Sequence, residues 1–399
     1  MHRPTVEDWQ SDFDHRDPVW INDPAPIWHD LRGTCPIAHT SRYGGVYLPT
    51  RYKDICAIAN DPENFSSRSV VVREFQSPPF SNAPINSDPP RHTEERRILL
   101  RAFGIDVVRN FEPTTRKICR ELIAPLATRA SCDAAVEYAQ HIPARIIALL
   151  LGLPESDGEL FRKWIYQSLD AGVVDPEATS SSLQERTTYM EKLISDRRQS
   201  PRNDITTELL QATIDGKPLA DECVVGMLRL ILIAGIDTTW SMIASGIWHL
   251  AQRADQQNDL VNQPELMRGA VEELLRAFSP VTMAREIVRD TEFGGVLFKN
   301  GEMVLLSFAA ANRDIEIFDR PNVIELGRTN NPHVAFGYGR HRCIGAGLAR
   351  MEIRVALEEW LNAFPSFSLD TRRSINWSEG VVRGPRTVPV LLSSSIEEV

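Results

Sequence analysis

The sequence predicts a mainly α-helical fold with a small β part, the α+β class, in one domain that spans residues 1–399. Three observations lead to this prediction. Apolar residues recur at helical spacing from Arg91 to about Ala277, and the period shortens to that of strands between Val281 and Phe308. No repeat, linker or low-complexity tract divides the chain.

Composition narrows the function classes. Hydrophobic residues make up 42% and charged residues 25% of the 399, as in soluble globular enzymes. A net charge of −10, from 44 basic and 54 acidic residues, argues against a nucleic-acid binder. The six cysteines contain no C-x-x-C pair and fit a reducing cytoplasm. The polar start, "MHRPTVEDWQ", predicts neither a signal peptide nor a membrane anchor.

The first ninety residues predict short elements and one long loop. The elements are a helix near Ala25–Arg32, a hairpin in "YGGVYLPTRY" that turns at Gly44-Gly45, and a helix over Tyr52–Asn60. Residues 65–90 are rich in Pro and Ser, and long loops inside compact domains usually have a function.

The middle of the chain predicts helices separated by clusters of turn residues. These clusters lie at Gly152–Glu155, Ser200–Asp204 and Asp215–Pro218. The most apolar run, "CVVGMLRLILIAGI", is too short to span a bilayer and contains Arg229, so it predicts a buried core helix.

The last 120 residues predict most of the β structure. "FGGVLFKNGEMVLLSF" predicts a hairpin that turns at Asn300-Gly301. An irregular meander at 311–331, a helix over Gly345–Phe364 and strands in the tail "INWSEGVVRGPRTVPVLL" complete the prediction.

A single cysteine stands in a basic, glycine-rich stretch, "AFGYGRHRCIGAG", just before the last predicted helix. A helix N-terminus and nearby backbone N–H groups stabilise a thiolate, and glycines let the backbone wrap around sulfur. Cys343 is therefore a candidate metal-bound thiolate. The alternative is a structural cysteine beside a glycine turn. A phosphate loop is excluded because no G-K-[ST] follows.

The spacing of "FGYGRHRCIG", Phe336 to Gly345, matches F-G-x-G-x-[HR]-x-C-x-G and resembles the cysteine-loop signature of the cytochromes P-450. Four further stretches match in the family's order, so the resemblance covers essentially the whole chain. It implies a single-domain cytochrome P-450 fold and haem b as cofactor, with Cys343 as the iron ligand. It also implies that Phe336, Gly337 and Gly345 belong to the haem-holding loop.

"AGIDTT", Ala234 to Thr239, places an acid and hydroxyls in the apolar helix. Read alone, it predicts a helix bend with a Thr hydroxyl bonded to a carbonyl one turn earlier. The resemblance implies that Ala234 and Gly235 lie over the haem, that Thr238 hydrogen-bonds bound dioxygen and that Asp237 relays protons.

Two more stretches carry charges at helical spacing. In "DPPRHTEERR", His92 and Arg96 lie on one face of a predicted helix. Without the resemblance, this pattern indicates an exposed cationic surface. The resemblance implies that they bind the haem propionates, together with Arg285 and His341.

"EELLRAFSP" contains Glu273 and Arg276. Without the resemblance, their spacing indicates an i,i+3 ion pair on a solvated helix face. The resemblance implies a buried structural pair, with Arg328 of the meander as the third member. "AANRDIEIF", Ala310 to Phe318, resembles the turn before that meander, with Ile315 where many members have Pro.

The resemblance also places a substrate pocket above the haem, and ordinary core is the alternative for each pocket residue. The apolar candidates are Val70, Val71, Val72, Phe75, Phe80, Ile85, Ile233, Val281, Met283 and Val381. Arg73 and Arg229 are candidates for contact with a substrate carboxylate.

No flavin, nicotinamide or iron–sulfur fingerprint is present, so we expect a separate electron donor, a ferredoxin with its reductase, unless the chain is one domain of a fusion. Parts of the sequence do look like the haem domains of some self-sufficient bacterial fusions. The basic candidates for the partner surface are Arg97, Arg101, Arg340, Arg342 and Arg350, with scattered surface arginine as the alternative.

The expected function is a cytoplasmic haem-thiolate monooxygenase that uses dioxygen and two externally supplied electrons to hydroxylate, or to O- or N-dealkylate, a small, largely apolar molecule. A peroxide-driven peroxygenase and a haem-based gas sensor are the alternatives. Aromatic acids, thiocarbamate-like xenobiotics, terpenes, steroids and biosynthetic intermediates all remain open as substrates, and no membrane or nucleic-acid partner is expected.

Overall fold

A computed structural model describes residues 5–72, 82–170, 175–378 and 381–392. The fold is mainly α-helical, and short 3₁₀- or π-helical turns join several of the helices. The helices are α1 (Pro18–Asn22), α2 (Ala25–Thr34), α3 (Tyr52–Ala59), α4 (Arg91–Leu100), α5 (Ile105–Ile123), α6 (His141–Leu150), α7 (Gly158–Ile165), α8 (Pro176–Gln199), α9 (Ile205–Gln211), α10 (Asp221–Leu250), α11 (Ala254–Asn262), α12 (Met267–Phe278), α13 (Phe308–Ala311) and α14 (Ala346–Ala363).

The strands are short and form four small sheets within the described residues. They are β1 (Ile37–Thr40), β2 (Val46–Pro49), β3 (Phe65–Ser66), β4 (Ser131–Asp133), β5 (Thr213–Ile214), β6 (Lys217–Pro218), β7 (Thr282–Ile287), β8 (Thr291–Phe293), β9 (Val296–Phe298), β10 (Met303–Ser307), β11 (Phe367–Leu369) and β12 (Pro389–Leu392). The largest sheet has the order β1-β2-β10-β7-β3, and a second has the order β11-β12-β4.

The long helix α10 is the centre of the larger core, and it packs against α6, α8, α12 and α14. It is also long and apolar enough to cross a membrane, but 72% of its most apolar window is buried inside the protein. That burial is typical of a core helix in a soluble protein. A second core joins the first helices to the five-stranded sheet.

Most predicted helices are present with ends within two residues of the prediction, because their apolar periodicity is local. The last helix, predicted over Gly345–Phe364, is α14 at Ala346–Ala363. The hairpin predicted at Gly44-Gly45 is also present, and β1 pairs with β2 from Ile37↔Pro49 to Thr40↔Val46.

The hairpin predicted at Asn300-Gly301 is wrong. Strand β9 instead forms an antiparallel pair with the preceding strand, β8, across a two-residue turn at Gly294-Gly295, whose φ angles are +59° and +79°. Two-residue hairpin turns with positive φ at both positions match the right-handed twist of the strands that they join. Asn300-Gly301 only redirects the chain, and β10 then pairs with β7 and with β2 in another sheet.

The predicted tail strands are mostly wrong. In the described part of the tail, β12 is the only strand of more than one residue. Before it, Trp377 bridges Pro385 and Val382 bridges Val281. Pro385 has no N–H to donate to a ladder, so this part of the tail folds as turns against the start of β7.

Candidate functional site

One large internal cavity of about 780 Å³ lies between α10, the cysteine loop and the described parts of the 65–90 segment. Its wall contains all ten residues that were predicted to bind the cofactor. They are His92, Arg96, Ala234, Gly235, Arg285, Phe336, Gly337, His341, Cys343 and Gly345. Residues that are up to 253 positions apart in the chain therefore meet at one site.

The cysteine loop is closed by its own backbone. The Cys343 N–H donates to the Phe336 carbonyl at 2.7 Å, and the Gly337 N–H donates to the Val334 carbonyl at 2.8 Å. Gly337 and Gly339 have φ angles of +76° and +69°, in the left-handed region that favours glycine. Only these two of the four glycines need that freedom, because Gly345 and Gly347 do not have positive φ.

The Cys343 thiol faces the cavity, at the end of the loop and just before α14. Burial raises the pKa of the thiol. The backbone N–H of Gly345 and the charges of Arg96, Arg350 and Arg342 act in the opposite direction. These groups stabilise a negative sulfur, and thiolate is the form that binds metals. The described residues contain no group of three or more His, Cys, Asp or Glu side chains that could hold a bare ion.

Four basic side chains meet beside the loop: His92, Arg96, Arg285 and His341. The two imidazole rings lie 4.1 Å apart, and His341 Nε2 is 3.0 Å from the Ser67 hydroxyl. Burial and the charge of Arg285 lower the pKa of His341 to about 3, and burial lowers that of Arg285 to about 10. Burial thus destabilises the charged form of each group, and the neighbouring positive charges add to this effect at His341.

The predicted haem fits this cluster. His92 is only 2% exposed, yet neither ring nitrogen has a hydrogen-bond partner among the described residues. Buried polar atoms normally have partners. Neither Arg96 nor Arg285 forms an ion pair with a carboxylate in the described part of the chain; their described bonds go to the carbonyls of Arg342 and Ala284. Two anionic propionates would satisfy these donors, with Cys343 in the wall of the same cavity.

Helix α10 presents Ala234, Gly235 and Thr238 to the cavity. The Thr238 hydroxyl donates to the Ala234 carbonyl at 2.8 Å, which is the internal bond predicted from sequence. A side chain at Gly235 would meet Ile147 of α6 at 2.4 Å, so glycine allows the close packing of α6 on α10. The helix is continuous through this stretch.

Asp237 lies on a different face of α10, outside the cavity wall, and is fully buried. Its carboxylate pairs with both ends of the Arg386 guanidinium, at 2.6 and 3.2 Å. Arg386 also donates to the Ser241 hydroxyl at 3.2 Å and stacks over Trp240. Sequence reasoning did not find Arg386, because nothing in the tail sequence marks it as a partner of α10.

The structure brings Glu273, Arg276 and Arg328 together in one buried network. Arg276 donates to both carboxylate oxygens of Glu273, at 2.7 and 2.8 Å, and Arg328 Nε lies 3.0 Å from the same carboxylate. Arg276 also donates to the carbonyls of Asn312, Pro321 and Val323. The network therefore joins α12 to the meander.

Two further residues connect this network to the cysteine loop, and the sequence analysis did not identify their roles. Asn312 donates to Ser279 and accepts from the Val334 N–H at 2.8 Å, just before the loop. Glu272 accepts from Arg350 of α14 and contacts His333 Nε2 at 2.9 Å. Ile315, the departure from the common Pro, is 65% exposed and has no core role.

Most predicted pocket residues line the cavity. They are Val70, Val71, Val72, Ile85, Ile233, Val281, Met283 and Val381. Phe75, Phe80 and Arg73 lie outside the described residues. Arg229 is buried, but the structure places it outside the cavity wall, where it donates to the Thr187 hydroxyl at 2.8 Å. Its interpretation as a contact for a substrate carboxylate is therefore wrong.

The predicted partner surface is exposed at four of its five arginines. Arg97, Arg101, Arg340 and Arg342 are exposed, and none pairs with a carboxylate in the described part of the chain. Arg350 differs, because it is held by Glu272 and lies over the Phe336 ring. Three exposed apolar side chains accompany the four arginines in sequence: Leu100, Ile105 and Tyr338, which are 48%, 66% and 43% exposed.

Comparisons with known proteins agree on one family. A family model described as Cytochrome P450 matches residues 252–391. The mycinamicin IV hydroxylase/epoxidase of Micromonospora griseorubida is 33% identical over 91% of this chain and 94% of that protein. The vitamin D(3) 25-hydroxylase of Pseudonocardia autotrophica is 33% identical over 94% of each chain.

A solved structure has the same fold. The Bacillus subtilis cytochrome P450 PksS, of the bacillaene polyketide synthase, superposes with a TM-score of 0.88 and 30% identity, over 96% of this chain and 100% of that one. The predicted fold, mainly α with a small β part, is therefore confirmed.

Proposed function

The chain belongs to the cytochrome P450 family and is a haem-containing monooxygenase, and we propose that Cys343 is the thiolate ligand of its haem iron. The observation that carries this proposal is the position of Cys343. It is the cysteine in the wall of the cavity, at the end of a closed glycine loop. When bound, the haem supplies the oxygen-activating chemistry, and a thiolate ligand favours cleavage of the O–O bond.

The basic cluster would hold the haem by its propionates. His92, Arg96, Arg285 and His341 come from α4, β7 and the cysteine loop, so an anion bound among them ties three separate elements together. Arginine is suited to this role because its planar fork binds a carboxylate through two N–H donors. The two histidines would add hydrogen bonds through the ring nitrogens that now lack partners at His92.

Proton delivery would involve Thr238 and Asp237. The Thr238 hydroxyl gives its own proton to the Ala234 carbonyl, so its oxygen accepts a hydrogen bond from a water or ligand in the cavity. Asp237 lies behind it and is held by Arg386. For Asp237 to carry a proton toward the cavity, this ion pair has to open, and Arg386 is therefore a positioning residue.

The test is coupled turnover with a substrate. Thr238→Ala should consume reductant at a similar rate but form several-fold less product per reductant, because the hydroxyl that orders proton delivery is lost. Thr238→Ser should restore most of the yield. Product and reductant consumption are measured together, with a ferredoxin, its reductase and a nicotinamide cofactor. An unchanged yield in Thr238→Ala would contradict the role of this hydroxyl.

The same assay separates the alternatives. A peroxygenase would form product with hydrogen peroxide and gain nothing from reductant. A gas sensor would bind dioxygen without product. The largely apolar lining of the cavity supports a small, largely apolar substrate, and hydroxylation or O- or N-dealkylation is the proposed outcome.

The electron donor would be a separate ferredoxin that docks on the surface formed by Arg97, Arg101, Arg340 and Arg342. Exposed cations near apolar side chains are typical of a charged docking surface with a hydrophobic centre. On a chain of net charge −10 such a surface orients an acidic partner. The six free cysteines support a reducing, cytoplasmic location.

Charge reversal at Arg97 and Arg101 should slow reduction by ferredoxin about tenfold at low ionic strength, because long-range attraction is lost. The difference from the unmodified protein should shrink as salt is added. Stopped-flow reduction rates measure this, with Arg202→Glu as control. Arg202 is likewise exposed but precedes α9, an element that packs on α8 and α10. Equal rates for the double variant and the unmodified protein at low salt would remove the proposed docking surface.

A further inference from the structure

An ion pair between α12 and α14 lies directly behind the cysteine loop. Glu272 of α12 accepts two hydrogen bonds from the Arg350 guanidinium of α14, at 2.6 and 2.8 Å. The central carbon of that guanidinium lies 4.4 Å from the centre of the Phe336 ring. The structure places Phe336 in the cavity wall, and it places Glu272 and Arg350 outside that wall. The ring therefore separates the ion pair from the cavity in which the haem would bind.

A histidine fixes the orientation of this ion pair. His333 Nδ1 accepts from the Ala335 N–H at 3.2 Å, so the other ring nitrogen, Nε2, is the donor to Glu272 at 2.9 Å. The His333 side chain is only 4% exposed. The Glu272 carboxylate thus bonds to the cysteine loop region and to α14 at once, and a two-bond pair restricts the plane of the guanidinium. The Arg350 charge is therefore held over the Phe336 ring.

The same ring belongs to the residue that closes the loop around the cysteine. The Phe336 carbonyl accepts the Cys343 N–H at 2.7 Å, and the charge of Arg350 is one of the influences that favour a thiolate at Cys343. Burial alone would raise the pKa of Glu272, but hydrogen bonds from His333 and Arg350 bring it to about 2. Glu272 is thus ionised at neutral pH, and its negative charge offsets part of the positive field at the sulfur.

We propose that Glu272 is a positioning residue that sets the reduction potential of the haem, because it fixes and partly neutralises the Arg350 charge behind the cysteine ligand. This inference rests on the proposed function, since it requires the Cys343 sulfur on the iron. A positive charge near that sulfur withdraws electron density from it and favours reduced iron. The ion pair therefore holds the potential between the values that either partner alone would give.

The test is the reduction potential of the haem-loaded protein in two single variants, measured by titration with redox dyes and followed by haem absorbance. Glu272→Gln should shift the equilibrium about threefold toward reduced iron, because the Arg350 charge is no longer offset. Arg350→Gln should shift it about threefold toward oxidised iron. Both side chains are about one-third exposed, so solvent screens part of each charge and the shifts stay modest. Threefold corresponds to about 28 mV, at about 59 mV per tenfold for one electron.

The opposite signs distinguish this role from a structural one. Loss of a tie between α12 and α14 would change both single variants in the same direction, whereas loss of opposite charges does not. The double variant, in which both charges are removed, should have a potential close to that of the unmodified protein, since charges in direct contact are coupled. Arg350→Lys keeps the positive charge and should stay closer to the unmodified protein than Arg350→Gln does.

Glu358→Gln is the matched control. Glu358 is also a partly buried carboxylate, and it accepts from Arg354 of α14 at 3.0 Å. It follows Arg350 by eight residues, which corresponds to about 12 Å along the helix axis. Its potential should equal that of the unmodified protein.

Two outcomes would overturn the proposal: shifts of the same sign in the two single variants, or an unchanged potential in Glu272→Gln. If Arg350→Gln does not retain haem, Glu272→Gln and its control decide. The carbon-monoxide spectrum of the same samples keeps the two proposals apart. A strongly red-shifted Soret band together with an unchanged potential in Glu272→Gln would leave the sulfur ligand standing and reject only the role of Glu272.

Discussion

Cys343→Ala should abolish the strongly red-shifted Soret band of the reduced, carbon-monoxide-bound protein. That band requires an anionic sulfur on the iron, and Cys343 is the cysteine in the cavity wall. The Gly345 N–H and the charges of three arginines, Arg96, Arg350 and Arg342, favour a thiolate at this position. An alanine has no sulfur that they could stabilise. The measurement is the absorption spectrum of the dithionite-reduced protein with and without carbon monoxide.

Cys35→Ala provides the control, because Cys35 is a free, half-buried cysteine at the end of α2. It should leave the spectrum unchanged. Circular dichroism on each variant separates loss of the ligand from loss of the fold. A red-shifted band that persists in folded Cys343→Ala would show that another group binds the iron. An unmodified protein with bound haem but no such band would show that the sulfur does not bind it.

The cysteine loop and its helix could be predicted because their signals are local. Gly337 and Gly339 are needed at positive φ, and Cys343 stands at a fixed spacing from Phe336 and Gly345. Helices α10 and α14 likewise follow from apolar periodicity within one segment. Such features depend on near neighbours in the chain, which the sequence displays directly.

Features that depend on distant partners could not be predicted. Asn300-Gly301 looks like a hairpin turn, but β9 is already paired with β8, so β10 continues into another sheet. Asp237 was assigned to proton relay without its partner Arg386, which is 149 residues away in the chain. Arg229 was considered for the pocket, but the packing of α10 on α8 turns it to Thr187 and away from the cavity wall.

Arg276→Ala should lower the free energy of unfolding by about 3–5 kcal/mol, because it leaves the fully buried carboxylate of Glu273 without its main partner. The total free energy of unfolding of most proteins is only about 5–15 kcal/mol, so the variant should lose haem readily or fail to fold. Denaturant unfolding, followed by circular dichroism and by haem absorbance, measures both effects. Arg253→Ala is the control, since its ion pair with Asp255 is exposed and worth less than about 1 kcal/mol.

The pH dependence provides a second test of the same pair. Burial alone would raise the pKa of Glu273, but hydrogen bonds from Arg276 and the Glu325 N–H bring it below its ordinary value of 4.5. A carboxyl whose pKa is lowered by folding stabilises the protein above its unfolded pKa, and this contribution is lost as pH falls below about 4.5. Glu273→Gln should lack this contribution. An acid unfolding profile in Glu273→Gln with the same slope as that of the unmodified protein would contradict the assignment.

Arg276→Lys distinguishes the geometry of the network from its charge. Lysine keeps the positive charge, but it cannot donate to Glu273 and to the carbonyls of Asn312 and Pro321 in one plane. We therefore expect it to restore little of the stability. Asn312 also accepts a hydrogen bond from the Val334 N–H, just before the cysteine loop. We therefore expect the haem absorbance to be lost at a lower denaturant concentration than the helical circular-dichroism signal. Simultaneous loss of both signals would mean that the network supports the whole fold rather than the cysteine loop in particular.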